Sequence, residues 1–316
     1  MCTVVHSATF DISPVTPELF ANQSSAYVTT IDQSTPIQPI SDPVFDAAGI
    51  QVAIKREDLN HPRISGNKWW KLKHNVNAAI AQNHQTLLTF GGAYSNHIYA
   101  TAAAASVHGL QSIGIIRGEQ VLPLNQTLTF AREAGMELHF IARDTYRTKA
   151  EPSFISELEE RFGRFYLLPE GGSNELGVAG VASFAEGLPL DFDYVCCPVG
   201  TGATLAGIVR GRKGTGHAIG FPVLKGGQAW ATAVESYVPQ YANWQLFGEY
   251  HFGGYAKTTL ELDRFMRDFE SSQGVPIEHV YSGKMFYGIY DLAAMGFFTR
   301  GSTVLAIHTG GLRPKV

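Results

Sequence analysis

Short apolar runs alternate with amphipathic segments along most of this sequence, and the alternation restricts the fold more than any other feature. Residues 87–90 and 194–199 are apolar runs that predict buried strands, and the segments after them have apolar residues at helical spacing. Strands that alternate with helices pair in parallel and carry helices on both faces of the sheet. We therefore expect an α/β fold with parallel-rich, twisted sheets flanked by helices.

Apolar spacing and glycine positions give approximate bounds for the elements. The predicted helices cover residues 69–83, 97–107, 125–134, 151–162, 176–186, 203–209, 228–237, 257–273 and 285–295. The predicted strands cover residues 87–90, 112–116, 138–142, 165–168, 194–199, 218–224 and 303–308. The first forty residues, which are rich in Ser, Thr, Gln and Pro, are expected to lie partly extended over the surface.

Composition excludes several classes of function. The chain has 316 residues, 45% of them hydrophobic and 16% charged, as in soluble globular proteins. Its formal net charge of −4 argues against a nucleic-acid partner or an anionic membrane partner. Cys2, Cys196 and Cys197 have neither disulfide-framework nor metal-ligand spacing, so no metal is expected. With no signal-peptide pattern and no run long enough to span a membrane, we expect a cytoplasmic protein.

Lys68 follows a small polar turn, Ser65-Gly66-Asn67, and precedes the helix predicted over 69–83. A cation at a helix N-terminus opposes the helix dipole, which makes this an unfavourable place for an ordinary solvated lysine. A lysine that must become a neutral nucleophile and form a Schiff base has a reason to be there. The turn alone is also compatible with a solvated lysine.

Ser95 lies in the turn between the strand predicted over 87–90 and the helix predicted over 97–107. Open α/β sheets place ligands at such carboxyl ends of strands. A serine in this position is equally explained as the N-cap of the helix. The two roles are compatible, because the hydroxyl of a cap residue also faces the crevice.

A glycine- and threonine-rich loop joins the strand at 194–199 to the helix at 203–209. Backbone amides of such a loop, with the helix dipole behind them, form an anion site suited to a phosphate. The loop matches neither the nucleoside-triphosphate nor the dinucleotide fingerprint, and a plain strand-to-helix connection is the usual alternative. Together with Lys68 as an amine for an aldehyde, the loop favours pyridoxal 5'-phosphate as cofactor.

Six motifs occur in an order that resembles one enzyme family. They are KREDLN with SGNK and KL, GGAYSNH, LPEGGSNELG, PVGTGATLAG, VYSGKMFYG and IHTGG. Over about residues 42–312 the chain resembles the D-cysteine desulfhydrase and 1-aminocyclopropane-1-carboxylate deaminase family of pyridoxal-phosphate enzymes. The resemblance implies fold type II, a homodimer, a large domain of residues 1–68 plus 180–316, and a small domain of residues 69–179. The cofactor would lie between the two domains.

The resemblance also implies roles for individual residues. Lys68 matches the Schiff-base lysine, and Asn96 matches the residue that hydrogen-bonds the phenolic oxygen of the cofactor. The phosphate loop would comprise Gly200, Thr201, Gly202, Ala203 and Thr204. Ser95 and Tyr281 match active-site residues, and His97 and Tyr255 would lie near the substrate. Lys71 matches a second lysine of the motif or is a solvated helix lysine.

Ser282 is where the chain departs from the ring-opening deaminases, which the resemblance expects to have an acid beside the pyridine nitrogen. A serine hydroxyl supplies no negative charge, so the ring becomes a weaker electron sink, which suits β-elimination. This favours a lyase that converts D-cysteine, or a related β-substituted amino acid, to pyruvate, ammonia and sulfide. The alternatives are deamination of 1-aminocyclopropane-1-carboxylate to 2-oxobutanoate, and a non-catalytic protein that binds a phosphate ligand.

Overall fold

The computed structural model describes residues 35–312 and shows strands and helices in the alternation that the sequence predicts. The strands are β1 (Ile37–Ile40), β2 (Gln51–Lys55), β3 (Thr86–Gly92), β4 (Gln111–Arg117), β5 (Met136–Ile141), β6 (Tyr166–Leu168), β7 (Tyr194–Val199), β8 (His217–Pro222), β9 (Trp244–Leu246) and β10 (Thr303–Ile307). The helices are α1 (Pro43–Ala48), α2 (Asn67–Ala81), α3 (Asn96–Val107), α4 (Gln126–Glu133), α5 (Arg143–Arg147), α6 (Pro152–Phe162), α7 (Glu175–Glu186), α8 (Ala203–Arg212), α9 (Gly227–Glu235), α10 (Leu260–Gln273) and α11 (Ser282–Ala294). The predicted α/β fold is confirmed.

The larger sheet has six strands in the order β1-β2-β10-β7-β8-β9. All its neighbouring strands pair in parallel except the edge pair β1 and β2. Helices cover both faces, and neighbouring side chains of β7 show this directly. Cys196 packs with Phe221 and Phe286 on one face, whereas Cys197 packs with Leu205 on the other. Both cysteines are free, fully buried thiols, as expected of core residues.

The smaller sheet has four parallel strands in the order β5-β4-β3-β6. Its strands are rich in β-branched and other apolar residues, and Leu88 of β3 lies beside Ile113 of β4 in the sheet. All four strands fall between residues 69 and 179, the segment that the sequence predicts to be the small domain. The division into two domains itself stays a prediction.

Some element bounds differ from the predictions, for identifiable reasons. The helix α11 begins at Ser282 rather than at residue 285, because the Glu278 carboxylate accepts hydrogen bonds from the first backbone amides. The helix α10 begins at Leu260 rather than at 257, after its N-cap Thr259. Strands β1, β2 and β9 and helices α1 and α5 were not predicted, since elements this short give weak periodicity. The expectation for the first forty residues lies outside the described residues, apart from 35–40.

No helix within residues 35–312 is both long and apolar enough to cross a membrane. Within the same residues, no cluster of three or more His, Cys, Asp or Glu side chains is placed to hold a metal ion.

The start of helix α2 is fixed by a close approach between two backbone segments. Gly66 is the N-cap residue, with φ of 70°, in the left-handed region. A Cβ atom at this position would lie 1.8 Å from the carbonyl oxygen of Thr309, in the loop that follows β10. The amide of Asn67 donates to the same oxygen over 3.3 Å. Only glycine fits here, and the contact places Lys68 beside the end of β10.

Replacement of Gly66 by alanine should therefore destabilise the protein more than a replacement that only strains the backbone. Gly109 is the matched control, because its φ is 65° but no atom lies within 4 Å of its Cβ position. Gly109→Ala should cost roughly 1–2 kcal/mol of unfolding free energy for the left-handed backbone. Gly66→Ala should cost a further ~1–3 kcal/mol or more, because the loop at Thr309 must move. Thermal unfolding of both variants measures the difference, and equal midpoints would contradict this account.

Candidate active site

A cleft of about 260 Å³ collects most of the side chains predicted to be functional. Its walls come from helix α2 and from segments at the carboxyl ends of parallel strands, where α/β proteins place ligands. The predicted residues that line it are Lys68, Ser95, Asn96, His97, Gly200, Thr201, Gly202, Thr204, Tyr255 and Tyr281. Ala203 and Ser282 do not line it. The volume lies just below the ~300–1,000 Å³ typical of small-molecule sites.

Lys68 is the second residue of α2, and its side chain is half-buried with its exposed part facing the cleft. Burial lowers the pKa of the Lys68 amine from 10.5 to about 8. No acidic residue lies in the first turn of α2 to oppose this shift. A substantial share of the amine is therefore neutral near pH 8, as nucleophilic attack on an aldehyde requires.

Lys71 lies one turn further along α2 and is only 2% exposed, so it is not a solvated helix lysine. Its Nζ donates to the carbonyl oxygen of Gly171 over 3.3 Å, in the turn before α7. Burial, followed by repulsion from Lys68, lowers the pKa of Lys71 well below its usual value. The cleft therefore holds two lysines whose pKa values are lowered, which shifts both amines towards their neutral forms.

Ser95 both caps a helix and faces the cleft, the two placements that the sequence analysis considered. It is the N-cap of α3, and its hydroxyl accepts hydrogen bonds from the amides of His97 (3.2 Å) and Ile98 (3.3 Å). It also lines the cleft with Lys68. Asn96, the next residue, is close to the loop after β10, because a Cβ on Gly311 would lie 2.6 Å from its Nδ2.

The loop between β7 and α8 presents a helix N-terminus to the cleft. The N-cap residue is Gly202, with φ of 85°, and within the described residues no side chain caps this helix. The first amides of a helix have no partner within it and carry its positive dipole end. The Thr204 hydroxyl, which accepts from Asn67 Nδ2 over 2.8 Å, is beside them. The Ala203 side chain is buried behind the loop, so this residue can contribute only its amide.

These features fit the functional groups of pyridoxal phosphate. The uncapped start of α8 suits a phosphate monoester. The Lys68 amine, with its lowered pKa, suits an aldehyde in the same cleft.

Tyr255 and Tyr281 form an aromatic pair on the cleft wall. Their rings are T-shaped, with centroids 6.1 Å apart and an interplanar angle of 74°. Burial, and then the Tyr255 phenol and the Glu278 carboxylate, raise the pKa of Tyr281 well above its usual value. Burial likewise raises the pKa of Tyr255. Both phenols are therefore protonated at neutral pH, and a hydrogen bond joins them.

His97 is almost fully buried although it reaches the cleft. Its Nε2 lies 2.8 Å from the hydroxyl of Thr89, on β3. Burial, and then the charges of Lys68 and Lys71, lower the pKa of His97 well below its usual value. The ring is therefore neutral at pH 7, so it offers no positive charge to a substrate carboxylate.

Ser282 is fully buried, and its hydroxyl is engaged with an acid that the sequence analysis missed. Its Oγ lies 3.1 Å from Oε1 of Glu278 and accepts from the Glu278 amide over 3.0 Å. The Glu278 carboxylate also accepts from the amides of Val280 (2.7 Å), Tyr281 (2.9 Å) and Ser282 (2.8 Å). The start of α11 therefore carries a negative charge next to the serine that was expected to supply none.

Arg117 and Glu170 also line the cleft, and neither was predicted. Arg117 is the last residue of β4, and Glu170 follows β6 by two residues. Glu170 forms an ion pair with Lys149 over 3.4 Å. The available signal was their position, since each charged residue lies within two residues of the carboxyl end of a predicted strand, where α/β proteins place ligands.

Comparison with known proteins identifies the family. A family model described as pyridoxal-phosphate dependent enzyme matches residues 28–310. A putative 1-aminocyclopropane-1-carboxylate deaminase of Pyrococcus furiosus is 32% identical, over 90% of this chain and 92% of the relative. A bifunctional D-cysteine desulfhydrase/1-aminocyclopropane-1-carboxylate deaminase of Arabidopsis thaliana, described as mitochondrial, is 31% identical, over 84% of this chain and 73% of the relative.

Solved structures agree with this assignment. The protein in a crystal structure of an ACC deaminase homologue is 29% identical in sequence to this chain. The two structures match with a TM-score of 0.79 over 89% of this chain and 90% of the homologue. An O-ureido-L-serine synthase is 16% identical, with a TM-score of 0.64 over 87% and 88% of the two chains, and shares the fold alone. The predicted family and cofactor are thus confirmed. The chain belongs to the family of pyridoxal-phosphate-dependent enzymes, in the group that contains 1-aminocyclopropane-1-carboxylate deaminases and D-cysteine desulfhydrases.

Proposed function

We propose that this enzyme is a carbon–sulfur lyase that converts D-cysteine, or a related β-substituted amino acid, to pyruvate, ammonia and sulfide. The supporting observation is the uncharged Ser282 side chain, which is buried directly after the cleft residue Tyr281, where the resemblance expects the neighbour of the cofactor's ring nitrogen. A hydroxyl stabilises a positive ring nitrogen less than a carboxylate does. Elimination tolerates this, because the leaving group departs soon after the α-proton is removed.

The chain's own residues divide the work of binding and proton transfer. When bound, pyridoxal phosphate supplies an aldehyde for the substrate amine and a ring that stabilises negative charge at the α-carbon. The loop and first turn of α8, residues 200–204, would hold the phosphate. Lys68 holds the aldehyde end, and its neutral amine then takes the α-proton. Ser95 shares this proton transfer, since its hydroxyl lines the same cleft.

The remaining residues orient the cofactor and the substrate. Asn96, which lines the cleft, would hold the cofactor ring in place through its phenolic oxygen, as the resemblance implies. Tyr281, a protonated phenol, supplies a proton to the leaving group, and Tyr255 supports it through their ring contact. His97 contributes a neutral surface near the substrate.

Deamination of 1-aminocyclopropane-1-carboxylate to 2-oxobutanoate and ammonia is the second candidate. It is supported by the Glu278 carboxylate, 3.1 Å from the Ser282 hydroxyl. The Glu278 carboxylate supplies negative charge near the position where Ser282 supplies none. Ser282 is therefore weaker evidence against ring opening than the sequence alone indicates. The relative named for the deaminase alone and the one named for both activities are 32% and 31% identical to this chain.

Product analysis separates the two candidates. The purified enzyme, loaded with pyridoxal phosphate, is incubated with D-cysteine, L-cysteine or 1-aminocyclopropane-1-carboxylate, and pyruvate, sulfide and 2-oxobutanoate are quantified. We expect kcat/KM for the formation of pyruvate and sulfide from D-cysteine to exceed kcat/KM for the formation of 2-oxobutanoate from 1-aminocyclopropane-1-carboxylate. Comparable or faster 2-oxobutanoate formation would reverse the order of the candidates.

Ser95→Ala tests the proposed proton transfer against the capping role. Loss of the cap should lower the unfolding free energy by ~1 kcal/mol, and loss of proton transfer should lower turnover by on the order of 10²–10⁴. Bound cofactor should persist, because the start of α8 is intact. Thr259→Ala is the matched control, since Thr259 caps α10 through Leu262 (3.2 Å) and does not line the cleft. Equal stability losses with normal turnover in both variants would remove Ser95 from the catalytic residues.

We also propose a homodimer and a cytoplasmic location. The family resemblance supports the first, and the buried free thiols Cys196 and Cys197 are compatible with a reducing compartment. A native mass of one 34.4 kDa chain would refute the dimer.

A further inference from the structure

Lys284 is a fully buried lysine in the first turn of α11 that the proposed chemistry does not use. Its Nζ donates to the carbonyl oxygens of Gly254 (2.7 Å) and His251 (2.9 Å), and more weakly to that of Val223 (3.5 Å). Burial lowers the pKa of Lys284 to about 8, while the Glu278 carboxylate opposes that shift. The side chain is therefore mostly charged at pH 7 and fully occupied by backbone carbonyls.

The segment that Lys284 holds has an unfavourable backbone conformation. Within residues 252–256, four residues have positive φ: Phe252 (49°), Gly253 (91°), Gly254 (124°) and Ala256 (53°). Phe252 and Ala256 carry a steric penalty there because they have a Cβ. Such conformations persist only where surrounding contacts fix them, and they are common at ligand-binding loops. The two strong hydrogen bonds from Lys284 are contacts of this kind.

This segment carries Tyr255, which lies between two residues of positive φ and lines the cleft. The ring of Tyr255 packs on Tyr281, which is three residues before Lys284 in sequence. The buried ammonium of Lys284 thus joins two parts of the cleft wall. One is the loop that carries Tyr255, and the other is helix α11, which begins directly after Tyr281. An apolar side chain in its place would remove both donors, and the carbonyl oxygens of His251 and Gly254 would keep only the backbone amides of Gly254 (3.0 Å) and Lys257 (3.2 Å).

We propose that Lys284 is a positioning residue for the substrate side of the cleft, because it fastens residues 251–254 to α11 and so holds Tyr255 against Tyr281. This inference rests on the proposed function, in which Tyr255 lies beside the substrate. The cofactor contacts of Lys68 and of the loop before α8 are made by other elements, so they do not depend on it.

Lys284→Met tests the proposal, because methionine keeps much of the side-chain length and removes the donors. The expected result is a rise of roughly 10-fold or more in KM for the amino-acid substrate, with a cofactor dissociation constant within about 2-fold of the wild type. D-Alanine, which has no β-leaving group, provides a readout without turnover. Its dissociation constant, measured by the absorbance change of the bound cofactor, should rise by the same factor as KM.

Arg212→Met is the matched control for lost stability. Arg212 is also buried and donates to backbone carbonyls, including those of Phe192 (2.8 Å) and Thr215 (3.2 Å). It lies at the end of α8 away from the cleft. Arg212→Met should lower the melting temperature without changing the D-alanine dissociation constant. An equal rise in that constant would show that any loss of a buried cation weakens the site, which would overturn the proposal.

A double-variant cycle tests whether Lys284 acts through Tyr255. In a Tyr255→Ala background, adding Lys284→Met should raise the D-alanine dissociation constant far less than it does in the wild type. Full additivity would overturn the proposal. If Lys284→Met does not fold, Lys284→Gln, which retains a donor, takes its place with a smaller expected rise, and no rise would again overturn it. A wild type that shows no cofactor absorbance, or no response to any amino acid, would instead refute the proposed function.

Discussion

The contact between Gly66 and the Thr309 carbonyl is the constraint on which the site depends. It joins the start of α2 to the loop after β10, with no room for a Cβ atom between them. The central strand β10, paired with β2 and β7, fixes one side of this contact. The other side carries Lys68, two residues into α2. The position of the key amine is therefore set by the larger sheet, although α2 leads into the smaller one.

Electrostatics in the cleft favour neutral nitrogen atoms. Burial lowers the pKa of Lys68, Lys71 and His97, and the positive charges of the lysines lower the pKa of His97 further. The protonated phenols of Tyr255 and Tyr281 are nearby. Such a site suits an aldehyde cofactor, because the amine must lose its proton before it can attack. Negative charge is present at Glu170, which lines the cleft, and at Glu278, whose carboxylate also stabilises the start of α11.

Local sequence patterns predicted the part of this structure that local physics determines. The strand at 194–199, the helix end near Val107 and the turn at Ser95 depend on periodicity, glycine and capping, and they lie where predicted. The contributions of Glu278, Lys284 and Gly66 could not be predicted, because they depend on burial and on contacts across the fold. Ser282 is an example. The sequence shows that this residue is uncharged, but the Glu278 carboxylate beside it is evident only from the folded structure at the start of α11.

The central claim is that Lys68, rather than Lys71, holds the cofactor. Both amines are in the cleft and both have lowered pKa values, so the test must distinguish them. Borohydride reduction of the holoenzyme followed by peptide mapping does so, because it traps the cofactor on the lysine to which it is attached. We expect a label on Lys68, absent from Lys68→Ala and retained in Lys71→Met. A label on Lys71, or an unlabelled protein that still turns over an amino acid, would contradict the claim.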